Sequence, residues 1–78
     1  MYIEITTPDK KVFSGEVSLV QLPGTNGLFE VLNDHAPLIS TLAKGKIKIV
    51  DGEKKNQFFE INSGVVEVLK NKIVVLAE

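Results

Sequence analysis

The 78-residue chain carries nine lysines, no arginine and ten acidic residues, for a formal net charge of −1. That length provides one small domain, and an apolar share of 44% is that of a globular rather than a disordered chain. The absence of cysteine excludes disulfides, thiolate metal sites and cysteine nucleophiles. A near-neutral charge without arginine leaves no footprint for nucleic acid. Glu4, Asp9, Lys10 and Lys11 interrupt any signal-like stretch at the start. The longest uncharged apolar run, Ile73–Ala77, falls far short of the ~20 residues of a spanning helix. The expectation is a soluble, intracellular protein without direct membrane insertion.

Val, Ile and Thr supply 21 residues, and their stiff side chains favour strands. Tyr2–Thr7 alternates and ends at the turn start Pro8-Asp9. Val12-Phe13 precedes a break at Ser14-Gly15, and Val17–Leu22 then runs to Pro23-Gly24. Gly24, Asn26 and Gly27 each tolerate positive φ, so Gly24-Thr25-Asn26-Gly27 reads as a hairpin turn. Phe29–Leu32 is closed by Asn33-Asp34. Pro37–Leu42 follows, with room for a helical turn near Ser40–Lys44 capped by Gly45. Ile47–Val50 ends at Asp51-Gly52, where the polar stretch Glu53–Gln57 predicts a longer exposed loop. Phe58–Ile61, Val65–Leu69 and Ile73–Leu76 complete the chain, the last two joined at Lys70-Asn71-Lys72. Eight to ten short strands with regular turn signals predict an all-β, antiparallel sandwich or small barrel.

Alternation fails at Leu19-Val20, Phe58-Phe59 and Val65-Val66, and Ile73-Val74-Val75-Leu76 is apolar on both faces. The surplus is covered either by the domain's own loops or by another protein. The second reading is favoured here, because so small a domain has little chain left for covering both faces. Lys44, Lys46 and Lys48 alternate on one strand face, which Asp51 and Glu53 balance as a solvated surface.

Little chemistry is written in the residues. Asp34-His35 is the one imidazole–carboxylate pair, and neighbours in an extended segment face opposite ways. Ser14, Ser40 and Ser63 lie in no nucleophile-elbow pattern. A single histidine without cysteine is a thin basis for a metal. The Gly24–Gly27 turn lacks the Gly-Lys-Ser/Thr ending and following helix of a phosphate loop. Lys70 and Lys72 flank a turn as the modified lysine of a biotinyl or lipoyl carrier would, but without the carrier signatures. A carrier domain or a generic β interaction module remains the alternative reading. No cofactor and no metal are expected.

The stretch Leu22-Pro23-Gly24-Thr25-Asn26-Gly27, a short strand, Asp34-His35-Ala36-Pro37-Leu38, and Gly45 before Ile47-Lys48-Ile49 together resemble the epsilon-subunit family of the F-type ATP synthase. Thr7-Pro8-Asp9, Phe13-Ser14-Gly15-Glu16, Ser63–Val68 and Val74–Ala77 extend the resemblance along the whole chain. His35-Ala36-Pro37-Leu38 is its most specific piece. The resemblance implies a single domain over residues 1–78, a ten-stranded antiparallel β-sandwich of two sheets. It implies a non-catalytic central-stalk subunit with gamma and the c-subunit ring as partners, peripheral on the cytoplasmic face of a bacterial inner membrane, coupling proton flow to ATP synthesis.

By motif position, Asn26, Gly27, Leu28 and Glu30 would face the c ring, and His35, Ala36, Pro37 and Leu38 would lie near gamma. Phe29 is expected to fill the domain's own core and Leu28 to remain outside it. Two local departures stand out: Leu28-Phe29 replaces an acidic residue after Gly27, and Asn33-Asp34 replaces a Pro-Gly before the histidine. The family's C-terminal helical hairpin has no counterpart in these residues. A naturally short form is therefore expected, with neither the hairpin's inhibition of hydrolysis nor ATP binding.

Overall fold

In the computed structural model, which describes residues 1–78, every regular element is a strand: β1 (Tyr2–Thr6), β2 (Lys11–Gly24), β3 (Gly27–Leu32), β4 (Leu38–Leu42), β5 (Gly45–Asp51), β6 (Asn56–Ile61), β7 (Gly64–Leu69) and β8 (Lys72–Ala77). Alternating apolar residues put one face of each strand inward. Ile3 and Ile5 of β1, Ile47 and Ile49 of β5, Val66 and Val68 of β7, and Ile73 and Val75 of β8 are all buried. With Val20, Leu22, Val31 and others they form one 16-residue cluster that contains no buried polar residue. Each fully buried Ile, Leu or Val contributes about 1.5–3 kcal/mol by leaving water.

The strands follow the order β1-β8-β7-β4-β2-β5-β6, with β3 on β2 and a further β1–β2 pairing. The expected ten strands in two separate antiparallel sheets are thus corrected to eight strands in one continuous hydrogen-bonded network. One pairing, β1 with β8, is parallel.

The main difference lies in β2, a single 14-residue strand where a break at Ser14-Gly15 was expected. Its first half pairs with β1, Ile3 opposite Gly15, and its second half lies between β3 and β5. The change of partners coincides with a register irregularity between Val17 and Leu19. Ser14-Gly15 therefore lies within a strand that changes partners, and a Cβ placed at Gly15 would make only ordinary contact with the Phe13 ring, 3.4 Å away. Phe13 in turn packs tilted on Phe59, with ring centroids 5.5 Å apart.

The helical turn allowed for Ser40–Lys44 is also absent. Leu38–Leu42 is strand along β7, Leu38 opposite Val68 and Leu42 opposite Gly64. Branched Ile39 and Thr41 suit that conformation, and the Ala43 amide, which would begin a helical turn, donates instead to the Pro23 carbonyl at 2.7 Å.

Candidate functional site

The β2–β3 hairpin tip presents the first set of candidate residues. Thr25 and Asn26 form a two-residue turn between paired Gly24 and Gly27. Of the three positions that tolerate positive φ, only Gly27 uses it (φ 124°). Gly24 is required for a different reason: a Cβ there would sit 2.8 Å from the Gly27 carbonyl and 2.9 Å from the Phe29 ring. That ring folds under the turn and packs on the core, while Leu28 is 68% exposed. Leu28 is exposed as expected, and Phe29 packs on the core from its edge, partly buried, rather than filling it. The tip is tied to β4, since the Thr25 amide donates to the Thr41 carbonyl (3.2 Å) and the two threonine hydroxyls meet at 3.0 Å. Glu30 is exposed and accepts a 3.4 Å bond from the Gln21 side chain across the ladder.

The second set lies beyond the other end of β3. Asn33-Asp34 forms the expected strand-closing turn, with Asp34 in a left-handed conformation (φ 64°), so Asp34-His35 does not run on as an extended segment. The His35 amide donates to the Leu32 carbonyl at 3.2 Å, and its Nδ1 lies 2.7 Å from the Ala36 carbonyl oxygen. The imidazole therefore engages backbone and no carboxylate. His35, Ala36 and Pro37 are exposed, and Leu38 is half-buried against the core. Shallow grooves border Pro37 on both sides, one toward Leu69, Lys70 and Asn71 and the other toward Ile39, Glu67 and Leu69.

Two residues read from sequence only as turn formers position this loop. The Asn33 side-chain oxygen accepts from the Met1 ammonium at 2.8 Å, and the Asn71 side-chain oxygen accepts from the Asp34 amide at 2.8 Å. Met1 also donates to the Val17 carbonyl and lies 3.5 Å from the Glu16 carboxylate. Asparagines in turn-forming stretches were the only signal for these contacts, which link positions 32 and 37 residues apart.

The two candidate sets are not one patch. The hairpin tip and the His35 loop lie at opposite ends of six-residue β3, about 17–20 Å apart at the usual rise per residue, with Glu30 of the first set partway along the strand, in a domain whose longest extent is 26 Å. Elsewhere the sheet exposes further apolar side chains. Ile39 is 72% and Leu76 59% exposed, and Leu32, Val65 and Leu69 are also exposed. The non-alternating runs thus put their surplus residues outside, with Val66, Ile73 and Val75 inside.

Lys46 and Lys48 stand on the outer side of β5 opposite Glu60 and Phe58, whereas Lys44 belongs to the loop before it. Lys70 occupies the β7–β8 turn with φ 51°, and the Lys72 ammonium is paired with Glu4 at 3.3 Å. Lys11 pairs with the same carboxylate at 3.2 Å, and these two lysines, Lys11 foremost, hold Glu4 below the usual carboxylate range. No group of three His, Asp or Glu side chains is placed to hold a metal, and no helix is long and apolar enough to cross a membrane.

Residues 1–78 match the family described as the β-sandwich domain of the ATP synthase delta/epsilon chain. The chain belongs to that family. It is 43% identical to the ATP synthase epsilon chain of Chlorobaculum tepidum over 76 residues, covering 97% of this chain and 86% of that one. Against the epsilon chain of Campylobacter curvus it is 45% identical over 78 residues, which span all of this chain and 60% of the relative. Among solved structures, a chain in the Euglena gracilis mitochondrial ATP synthase (OSCP/F1/c-ring) superposes with a TM-score of 0.89 at 19% identity, over 96% of this chain and 48% of that one. A chain in the Tetrahymena thermophila mitochondrial enzyme (central stalk/c-ring) gives 0.82 at 18% identity, over 99% and 62%.

Proposed function

We propose that this chain is a non-catalytic rotor subunit of an F-type ATP synthase, docked on gamma and on the c-subunit ring and coupling proton flow to ATP synthesis. The observation that carries the proposal is the separation of the hairpin tip that carries Leu28 from the His35 loop, at opposite ends of β3, in a chain of the epsilon family. A coupling element must hold two partners at once, and a rigid strand is a suitable spacer between two contact points. In this assignment Asn26, Gly27, Leu28 and Glu30 meet the c ring, and His35, Ala36, Pro37 and Leu38 meet gamma.

Chemistry and charge support the two surfaces in different ways. The hairpin tip offers one large apolar side chain, Leu28, held out by a turn that Phe29 anchors beneath it. Burying Leu28 in a partner would contribute about 1.5–3 kcal/mol. The His35–Leu38 loop offers a rigid proline-containing surface, held from behind by Asn33 and Asn71. Bond formation to phosphate belongs, in this reading, to other subunits. The subunit would sit peripherally on the cytoplasmic face of a bacterial membrane, as part of the complex. Co-purification tests the assignment: the folded chain should retain a cognate gamma subunit at micromolar concentration. Failure of the two to associate would remove it.

A further inference from the structure

Strand β6 is an open edge. β5 pairs with it from Asn56 to Ile61, and no strand pairs with its other side. The β5–β6 register runs without a shift, and the Asp51 amide donates to the Lys55 carbonyl at 3.0 Å at the end of that ladder. Asp51–Lys55 is therefore a hydrogen-bonded pair, and alternation makes Ile49–Gln57, Ile47–Phe59 and Gly45–Ile61 hydrogen-bonded pairs too. The backbone N–H and C=O groups of Asn56, Phe58 and Glu60 consequently point away from β5. The side chains of these residues are also exposed, Phe58 by 58%.

Exposed edges are usually blunted by proline, lysine, an inward charge or a bulge. β4 is short and follows Pro37, the first half of β2 begins at Lys11 and bulges against β1, and β3, open on the side away from β2, carries the hairpin tip assigned to the c ring. β6 contains neither proline nor lysine, and its pairing has no bulge.

We propose that β6 is a self-association edge, at which two copies of this chain pair β6 to β6, antiparallel, about a two-fold axis at Phe58. The residues with free backbone groups then become the hydrogen-bonded pairs of the new ladder. Phe58 lies opposite Phe58 of the second copy, and Asn56 lies opposite Glu60 of the second copy, twice by symmetry. This register stacks aromatic on aromatic, sets an amide against each carboxylate, and places no like charges directly opposite. Moving the axis to Glu60 would oppose two carboxylates, and moving it to Asn56 would set Phe58 against Lys54. Self-complementarity in one register is what an isologous interface requires, and it selects a second copy over a strand of unspecified sequence. The ladder is only six residues long, so the dimer is weak, with a dissociation constant in the high micromolar to millimolar range.

Sedimentation velocity across micromolar to millimolar concentrations of the full chain tests this. The expected result is a reversible monomer–dimer equilibrium. Asn56→Glu places two carboxylates opposite each other at both ends and should weaken the dimer about ten-fold, and Asn56→Lys should tighten it by a similar factor. Phe58→Pro should abolish the dimer yet fold, because the lost N–H faces the open side, and circular dichroism checks the fold. A monomer throughout the range, a dimer indifferent to both charge changes, or growth to open-ended oligomers would each overturn the proposal.

Discussion

The side-chain oxygen of Asn71, in the β7–β8 turn, accepts a hydrogen bond from the backbone amide of Asp34 at 2.8 Å. Both residues sit in the left-handed region, at φ 62° and 64°. The Asn71 carbonyl also accepts from the Tyr2 amide at 3.2 Å, so one turn fastens the start of β1 and the loop that carries His35. Asparagine suits the position because it tolerates this backbone and carries an acceptor.

Asn71→Ala should therefore cost about 1–2 kcal/mol, combining left-handed strain with the lost bond. Urea unfolding measures the loss. Amide exchange should show Asp34 less protected while the β5 amides, remote in the sheet, change little.

Two glycines should respond with opposite signs. Gly24→Ala drives a methyl into the Gly27 carbonyl and the Phe29 ring and should destabilise by about 1–3 kcal/mol. Gly52 lies in open space without positive φ, so Gly52→Ala should stabilise by about 0.4–1 kcal/mol through the unfolded chain. Thermal unfolding of the two variants beside the parent checks both signs.

Acid should weaken the fold through two carboxylates. Asp51 accepts from the Lys55 and Glu53 amides at 3.0 and 2.9 Å and from the Gln57 side chain at 2.9 Å, and these bonds, the Lys55 amide foremost, lower its pKa. Glu4 is lowered by Lys11 and Lys72. A lowered folded-state pKa contributes stability that is complete above the unfolded carboxylate range and is lost as pH falls through the folded value. Stability should thus be flat near neutrality and decline below the ordinary carboxylate range. Asp51→Asn and Glu4→Gln should flatten that decline in a pH series of urea midpoints.

Leu28 and Phe29 should separate function from folding. Leu28→Asp changes an exposed side chain and should leave stability within about 0.5 kcal/mol, whereas Phe29→Ala strips a ring from the core's edge and should cost about 2–3 kcal/mol. Urea unfolding of both variants distinguishes the two roles.

Strands with strict alternation were readable residue by residue: Ile47 and Ile49 point in and Lys46 and Lys48 out, as their period of two requires. The Leu28–Phe29 division was readable for the same reason. The continuity of β2 was not, because Ser14-Gly15 carries the composition of a turn while its neighbours, not its own propensity, keep it extended. The observed eight strands still fall within the eight to ten that the turn signals predict, and the count of ten came only from the family resemblance. The supports of the His35 loop were also hidden. Asn33 and Asn71 announce turns locally, but their contacts to Met1 and Asp34 depend on how distant strands are brought together.

Proton-driven ATP synthesis in membrane vesicles stripped of their own epsilon subunit tests the rotor assignment most directly. Adding the folded chain should restore synthesis, and adding the equally folded Leu28→Asp variant should restore distinctly less while still binding gamma. Restoration by both to the same level would take the hairpin tip out of the coupling contact, and no restoration by the folded parent chain would contradict the assignment itself.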